Sequence, residues 1–317
     1  MTLQQLRTEY TRLAHTKSIN DCIELLDIYC NFLITNISEC RVRPNNVMEG
    51  EATLLLQMML TKTLHIKSII KGVSFSSKNE ISLNNIIDPT VLAVLIRNTY
   101  ETVSMFNLIY RVNKSGDERT IVYNLWTIAG LKYRKRFEHM ISGEENANKL
   151  QTEQESINYL ISAIQNTVLY QNLDKENKAK IKNQIKNKEY LIRFDNNRVL
   201  ILHWQELSKT MDCNEDYFKS IYTYFSLYAH PSNVSVFQFG EMFHDKMETS
   251  IGMVNLNMQY FFMFLSIFIS DYILLFPNVI KTFNNLDLLD QILIDSFNTF
   301  ARGGHDYSIN ESWKELG

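Results

Sequence analysis

The stretch that decides the fold is Met258–Phe276, with the sequence MQYFFMFLSIFISDYILLF. As a helix it is nearly long enough to cross a bilayer. However, Gln259, Ser266 and Ser270 recur at helical spacing and give it one narrow polar stripe. Asp271 adds a charge, which the hydrocarbon of a membrane disfavours. Because the centre of a large bundle also needs a helix that is apolar on nearly every side, we expect this segment to be buried in a soluble protein.

The rest of the chain has the composition of a helical protein. Its 317 residues include 10 glycines and 4 prolines, well below the usual usage of about 7% and 5%. Few turn formers mean few loops, whereas strand-rich folds need a turn every few residues. An apolar fraction of 45% is enough for a sizeable core. The sequence therefore predicts an all-α fold, built as one large helical bundle.

We expect a single helical domain over residues 1–317, since neither a repeat nor a low-complexity linker divides the chain. Residues 1–47 supply N-terminal helices, 48–276 the core, and 277–317 a C-terminal helix and tail. A lysine-rich stretch at 172–190 is interpreted as a solvated excursion from the core.

Apolar spacing and helix-start signals give the order of the elements. Asp88 and Pro89 supply a carboxylate cap followed by proline at the first helical position. Asn214 caps a helix that Pro231 ends. The polar stretch 73–88 predicts an irregular loop. The predicted helices are 3–15, 18–38, 48–72, 89–111, 117–143, 147–171, 174–188, 198–211, 215–229, 240–276 and 287–302.

Charge and cysteine usage predict a cytoplasmic protein. The net charge of -3 gives no overall attraction to nucleic acid or membrane, so such a partner needs a local patch. The N-terminal segment MTLQQLRTEYTRLAH is charged, unlike a signal peptide. The cysteines form no C-x-x-C pair, and we expect reduced, buried thiols. They are Cys22, Cys30, Cys40 and Cys213.

Local motifs for a metal or a cofactor are missing from the sequence. It contains no Gly-rich phosphate loop, no H-E-x-x-H and no G-x-S-x-G. The 7 histidines are scattered, and none pairs with another histidine or a cysteine at metal-ligand spacing. We therefore expect neither a metal nor a cofactor.

Two basic segments are candidates for binding nucleic acid. Cations late in a helix also complement the helix dipole, so a solvated structural face is the alternative. Single-strand binding uses aromatic residues between the cations, which here are Tyr133 and Tyr190. The first segment, KYRKR, contributes Lys132, Arg134, Lys135 and Arg136. The second contributes Lys175, Lys178, Lys180, Lys182, Lys186 and Lys188.

Two polar pairs stand out on otherwise apolar helices. Ser226 and His230 are four apart near a helix end, where His230 either exchanges protons near neutral pH or caps the helix carbonyls. Arg97 and Glu101 are also four apart. Because a charge within an apolar face is costly unless paired, they form a structural ion pair or meet a polar partner on another helix.

Three motifs in a fixed order carry a family resemblance. They are Arg97-x-x-x-Glu101, Trp204, and Tyr224-x-Ser226-x-x-x-His230-Pro231. Their order and spacing resemble a bacterial family of unknown function whose members are assigned to the HEPN-like helical superfamily. The resemblance covers roughly residues 50–275 and implies that the helices of Arg97 and His230 pack together.

The resemblance also implies a function. HEPN proteins are often metal-independent endoribonucleases of toxin–antitoxin, antiviral-defence and CRISPR-linked systems, and typically act as dimers. In that chemistry histidine transfers protons during 2′-hydroxyl attack while arginine stabilises the phosphorane charge. The HEPN signature places arginine four to six residues before the histidine, and His230 lacks such an arginine. Arg97 would have to supply that charge in space.

The lead hypothesis is a HEPN-like homodimeric protein of bacterial defence or toxin type. It acts on RNA through a polar pocket of Arg97, Glu101, Tyr224, Ser226 and His230. The competing hypothesis is a non-catalytic interaction module, in which those residues form a structural network and the partner is a protein encoded nearby. A third, weaker class is a membrane-associated protein.

Overall fold

The computed structural model describes residues 1–39, 43–140, 144–244, 247–303 and 309. Helices dominate this part of the chain, and its strands form only two short antiparallel hairpins. The predicted all-α class is confirmed. Cys40 and nearly all of the predicted tail lie outside the described residues.

The chain forms two compact units. The first unit comprises Met1–Phe106 together with Ser208–Gly317, and the second comprises Asn107–Leu207. The prediction of a single domain stays a prediction, because a compact unit inserted within another can belong to the same domain.

The N-terminal half of the first unit contains four helices and one hairpin. Helix starts follow the capping residues: Ser18 accepts from the backbone N–H of Asp21, whose side chain accepts in return from Ser18. The elements are α1 (Leu3–Ala14), α2 (Ile19–Ser38), α3 (Val47–Ile69), β1 (Val73–Ser76), β2 (Ser82–Ile86) and α4 (Pro89–Phe106).

The second unit begins with a π-helical turn, Asn107–Arg111. Its other elements are α5 (Gly116–Arg134), a 3-10 helix (Lys135–Met140), α6 (Glu144–Gln165), α7 (Val168–Asn172), α8 (Lys175–Asn187), β3 (Ile192–Asp195), β4 (Arg198–Ile201) and a 3-10 helix (Trp204–Glu206). The short helix α9 (Leu207–Thr210) spans the boundary with the first unit.

The remaining elements belong to the first unit. They are α10 (Glu215–Phe218), α11 (Ile221–Ala229), α12 (Asn233–His244), α13 (Met247–Leu275), a 3-10 helix (Pro277–Val279), α14 (Ile280–Asn284) and α15 (Leu288–Arg302).

Helix α13 is the centre of the first unit, as the sequence predicts. It packs against α2, α4 and α15. Aromatic rings make these contacts: the centroids of Phe106 and Phe268 are 4.8 Å apart, and those of Phe262 and Phe297 are 5.5 Å apart. Such ring pairs stabilise a core beyond the area that they bury.

Each side chain of the polar stripe on α13, and that of Asp271, forms a hydrogen bond within the first unit. Its hydrogen-bonded pairs are Gln259 with Thr16, Ser266 with Tyr29, and both Ser270 and Asp271 with Arg302. Among the described helices, Ile251–Leu275 alone is long and apolar enough to cross a membrane, and 78% of its most apolar window is buried. A helix so enclosed packs as a core helix, which confirms the burial prediction.

Two predicted segments are wrong. The stretch 73–88 is not an irregular loop, because β1 and β2 pair there as a hairpin. The predicted helix 198–211 is instead β4, a 3-10 turn and α9. Strand β4 pairs with β3 across Asn196 and Asn197, whose φ angles of 47° and 65° suit the tightest hairpin turns.

Other predicted helices exist but have different bounds. The helix predicted at 215–229 is broken into α10 and α11 around Ser220. The one predicted at 240–276 corresponds to the end of α12 and to α13, with residues 245–246 outside the described part.

Candidate functional site

Arg97 and Glu101 form an ion pair within α4. The Nε of Arg97 donates to Oε1 of Glu101 at 3.0 Å, as the four-residue spacing allows. Their side chains are 20% and 27% exposed. The pair is therefore partly open to solvent rather than sealed in the core.

Tyr222 of α11 is a second partner of Arg97. The Nη2 of Arg97 donates to the Tyr222 hydroxyl at 2.6 Å. The guanidinium carbon also lies 4.7 Å from the centre of the Tyr222 ring. Hydrogen bonds from a charged donor are roughly twice as strong as neutral ones. Thus α4 and α11 pack together, as the resemblance implies, and Arg97 joins them.

A lysine from α3 extends this group. Lys62 donates to the amide oxygen of Asn98, one position after Arg97. Burial lowers the pKa of Lys62, although the nearby Glu101 carboxylate acts in the opposite direction. We call Lys62, Arg97, Asn98, Glu101 and Tyr222 the α4 cluster. The cluster contains residues of three helices of the first unit, which are α3, α4 and α11.

Tyr224 lies outside the α4 cluster. Two positions after Tyr222, it faces about 200° away around the helix. Its hydroxyl donates to Oδ1 of Asn257 on α13 at 3.1 Å. Burial, together with the neighbouring Tyr228, raises the pKa of Tyr224 well above its ordinary value. This tyrosine is half-buried and bonded to the central helix α13.

Ser226 and His230 occupy the last turn of α11 and its end. The Ser226 hydroxyl donates to the Tyr222 carbonyl at 2.6 Å, within the helix. The backbone N–H of His230 donates to the Ser226 carbonyl at 3.2 Å, and its side chain is exposed. The described residues make no hydrogen bond to the His230 ring.

The five predicted pocket residues have different partners among the described residues. Arg97 contacts both Glu101 and Tyr222, whereas Tyr224 is half-buried and bonds to Asn257 on α13. His230 lies eight positions after Tyr222, a separation of about 12 Å along a helix axis. Their grouping into one pocket and the catalytic roles of the individual residues stay predictions. Tyr222 was missed because the sequence does not indicate which tyrosine of α11 faces α4.

The four predicted cations of KYRKR lie at the end of α5 and in the following 3-10 helix. The Nζ of Lys132 donates to the carbonyl of Ile185 at 2.7 Å. Arg134 pairs with Glu153, and Lys135 donates to the amide oxygen of Gln154 at 3.0 Å. The guanidinium carbon of Arg136 lies 4.6 Å from the centre of the Tyr133 ring.

The two basic segments converge on that ring. The Nζ of Lys188, at the end of α8, is 6.0 Å from the centre of Tyr133. Burial and then the charge of Lys188 lower the pKa of Lys132. Tyr133 itself is 49% exposed. We call Lys132, Tyr133, Lys135, Arg136 and Lys188 the basic face of the second unit.

Comparison with known proteins identifies the chain. A family of unknown function, DUF5677, matches residues 82–247, more than half of the sequence. The chain belongs to the DUF5677 family. Neither the curated proteins nor the solved structures contain a match. The expected membership of a family of unknown function is confirmed, over a shorter span than predicted.

The DUF5677 match contains every residue named so far in this subsection except Lys62 and Asn257. Within the part of the chain that the structure describes, no group of three or more His, Cys, Asp or Glu side chains can hold a metal ion. Trp204, the remaining motif residue, packs its ring edge-to-face on Tyr190 at 6.5 Å within the second unit.

Proposed function

We propose that this DUF5677 protein is a HEPN-like, cytoplasmic RNA-binding protein of bacterial defence or toxin type. It binds single-stranded RNA on the basic face of the second unit. The observation that carries the proposal is the convergence of two basic segments on the exposed ring of Tyr133.

Charge supports this proposal. Arg134 is neutralised by Glu153, but Lys132, Lys135, Arg136 and Lys188 take part in no ion pair among the described residues. Four uncompensated cations give a local positive surface on a chain whose net charge is only -3. Such a surface attracts a phosphate backbone, whose binding depends strongly on salt.

The exposed aromatic ring favours a single strand over a duplex. Unpaired bases stack on tyrosine or on an arginine guanidinium without sequence preference. Arg136 lies over one face of the Tyr133 ring, so a base would stack on the guanidinium or on the other face of the ring. In a duplex the bases are already stacked on each other and hidden from the ring.

Fluorescence anisotropy with a labelled oligouridine tests the proposal. We expect binding that weakens as salt increases, and weaker binding to a duplex of equal length. Lys188→Ala should reduce the slope of log K against log salt by about 0.7, the loss of one phosphate contact. Lys175→Ala is the matched control, since it lies about 20 Å from Lys188 along α8. Absence of binding, or equal slopes in the two variants, contradicts the proposal.

The second candidate is a non-catalytic module that binds a partner protein. It is favoured by the geometry of Arg97, which is bonded to Glu101 and Tyr222. To stabilise a phosphorane, the arginine and the histidine must reach the same phosphate. Tyr222, which holds Arg97, lies about two helical turns before His230 along α11.

RNA cleavage and cell toxicity of His230→Ala separate the two candidates. His65→Ala is the control, because His65 is also exposed and lies on α3. Activity that is lost only in His230→Ala, with folding intact, establishes an enzyme. A wild-type protein that does not cleave RNA leaves the interaction module, and cleavage unchanged in His230→Ala contradicts a catalytic role of His230. The homodimer that the resemblance implies is measured by light scattering on the same preparations.

A further inference from the structure

A cleft of about 420 Å³ opens beside His230, within the first unit. Its volume is within the usual range for sites that bind small molecules. It lies between the start of α4 and the turn from α11 to α12. Most of its lining is apolar: Val91, Val94, Ala229, Pro231, Val236 and Phe239.

Asp88 is the only carboxylate among the described lining residues. As the cap of α4, it accepts from the backbone N–H and the hydroxyl of Thr90, at 2.8 and 2.7 Å. A third bond comes from the N–H of Val91 at 3.3 Å. All three bonds end on Oδ1, so Oδ2 remains available as a charged acceptor.

The other polar groups of the cleft are engaged. The Tyr228 hydroxyl donates to Gln238 at 2.8 Å, and the Ser235 hydroxyl donates to the carbonyl of Ser232 at 2.9 Å. The described lining residues include neither lysine nor arginine. An anion would therefore meet a carboxylate and apolar walls, which disfavours a phosphate as the occupant.

The apolar walls are open to water. Val91, Val94 and Val236 are 44%, 41% and 59% exposed. A ligand with an apolar body gains by covering these side chains. A positive charge on the same ligand gains a charge-assisted hydrogen bond from Asp88.

We propose that this cleft binds a small amphipathic organic cation. The apolar body of the ligand covers Val91, Val94 and Val236, and its ammonium group donates to Oδ2 of Asp88. The site is independent of the basic face, which lies in the other unit. A failure to bind RNA would therefore not count against ligand binding in the cleft, and the reverse also holds.

Calorimetry with three indole probes tests the proposal. Tryptamine carries an ammonium, tryptophol a neutral hydroxyl and indole-3-propionate a carboxylate on similar apolar bodies. We expect tryptamine to bind about tenfold more tightly than tryptophol, with indole-3-propionate the weakest. Absence of tryptamine binding, or equal affinities for tryptamine and tryptophol, overturns the proposal.

Two variants place the ligand in the cleft. Asp88→Asn keeps a helix cap but removes the charge, and we expect it to abolish the preference for tryptamine. Asp174→Asn is the matched control, because Asp174 caps α8 in the same way. Val94→Lys should abolish tryptamine binding, since Val94 is a cleft wall exposed enough to accept lysine. Unaltered binding in Val94→Lys, or an unaltered preference in Asp88→Asn, contradicts the assignment.

Discussion

Arg97 and Tyr222 are 125 positions apart in the sequence, and their side chains meet at a hydrogen-bond distance of 2.6 Å. This contact connects α4 to α11 and commits the guanidinium to a partner that the sequence did not reveal. Arg97 therefore helps to hold α4 and α11 together.

Tyr222→Phe should destabilise the protein by about 1.5–3 kcal/mol, the range for hydrogen bonds to charged groups. The variant keeps the ring but removes the acceptor of Arg97. Urea unfolding followed by circular dichroism measures the change. Tyr159→Phe is the control, because Tyr159 is 73% exposed and should change little. Equal unfolding midpoints for both variants would mean that the contact contributes nothing.

The buried ion pair between Asp271 and Arg302 gives a larger effect. Their side chains are 0% and 3% exposed, with 2.7 Å between the charged atoms. Burial opposes the charge of Arg302, but Asp271 more than offsets it and raises the pKa of Arg302. Asp271→Asn removes the carboxylate that the buried guanidinium contacts and should cost about 3–5 kcal/mol.

Two further variants test the origin of that cost. Asp271→Leu combined with Arg302→Met should recover much of the lost stability, because apolar pairs often replace buried ion pairs well. Glu215→Gln, which breaks the exposed pair with Lys209, should change little. A double variant as unstable as Asp271→Asn would argue against this explanation.

The buried cysteines should be unreactive in the folded protein. Burial raises the pKa of Cys22 and Cys30 to about 11, and that of Cys213 to about 12. The thiolate is the reactive species. In a Cys40→Ser protein at about pH 8, a thiol-specific colorimetric reagent should detect no thiol until denaturant is added. Rapid reaction of the native protein would contradict the described burial.

The raised pKa values of these three cysteines also predict how the stability of the protein changes with pH. The folded state holds these thiols protonated above their ordinary pKa of 9.0. Their contribution to stability is therefore complete below that value and is lost as the pH rises through about 11 to 12. Cys213→Ala should reduce the loss of stability in that window, measured as the change in urea midpoint with pH.

Asn257 and Tyr224 provide a test of a buried polar contact. Asn257 is fully buried, and its Nδ2 has no partner among the described residues. Tyr224→Phe removes the bond to Oδ1 as well and should cost about 1–3 kcal/mol. Adding Asn257→Leu should restore stability, because it removes both the Oδ1 and the Nδ2 of Asn257, which would otherwise be buried without a partner. Further destabilisation in the double variant would show that Asn257 has another essential role.

Much of the fold could be predicted because its causes are local. Low glycine and proline content indicated long helices, and Asp88 and Asn214 marked helix starts. The apolar segment around Met258 indicated the buried centre. The hairpin at Asn196 and Asn197 was missed although paired asparagines favour such a turn, because helical spacing was extended across it.

The candidate sites depended on contacts that sequence spacing does not encode. The pair of Arg97 and Glu101 could be predicted, since residues four apart on a helix are neighbours. The contact of Tyr222 with Arg97 could not be predicted, because the rotation of α11 that turns this tyrosine toward α4 depends on the fold. The meeting of Lys188 with Tyr133 required the fold of the second unit, which joins residues more than fifty positions apart.

The central claim is that single-stranded RNA binds on the basic face, with a base stacked on Tyr133. Its most direct test is the Kd of Tyr133→Ala for a labelled oligouridine, beside Tyr159→Ala, which removes another exposed tyrosine of the same unit. The account predicts a Kd raised about tenfold by Tyr133→Ala and unchanged by Tyr159→Ala. Equal affinities for the two variants would contradict it.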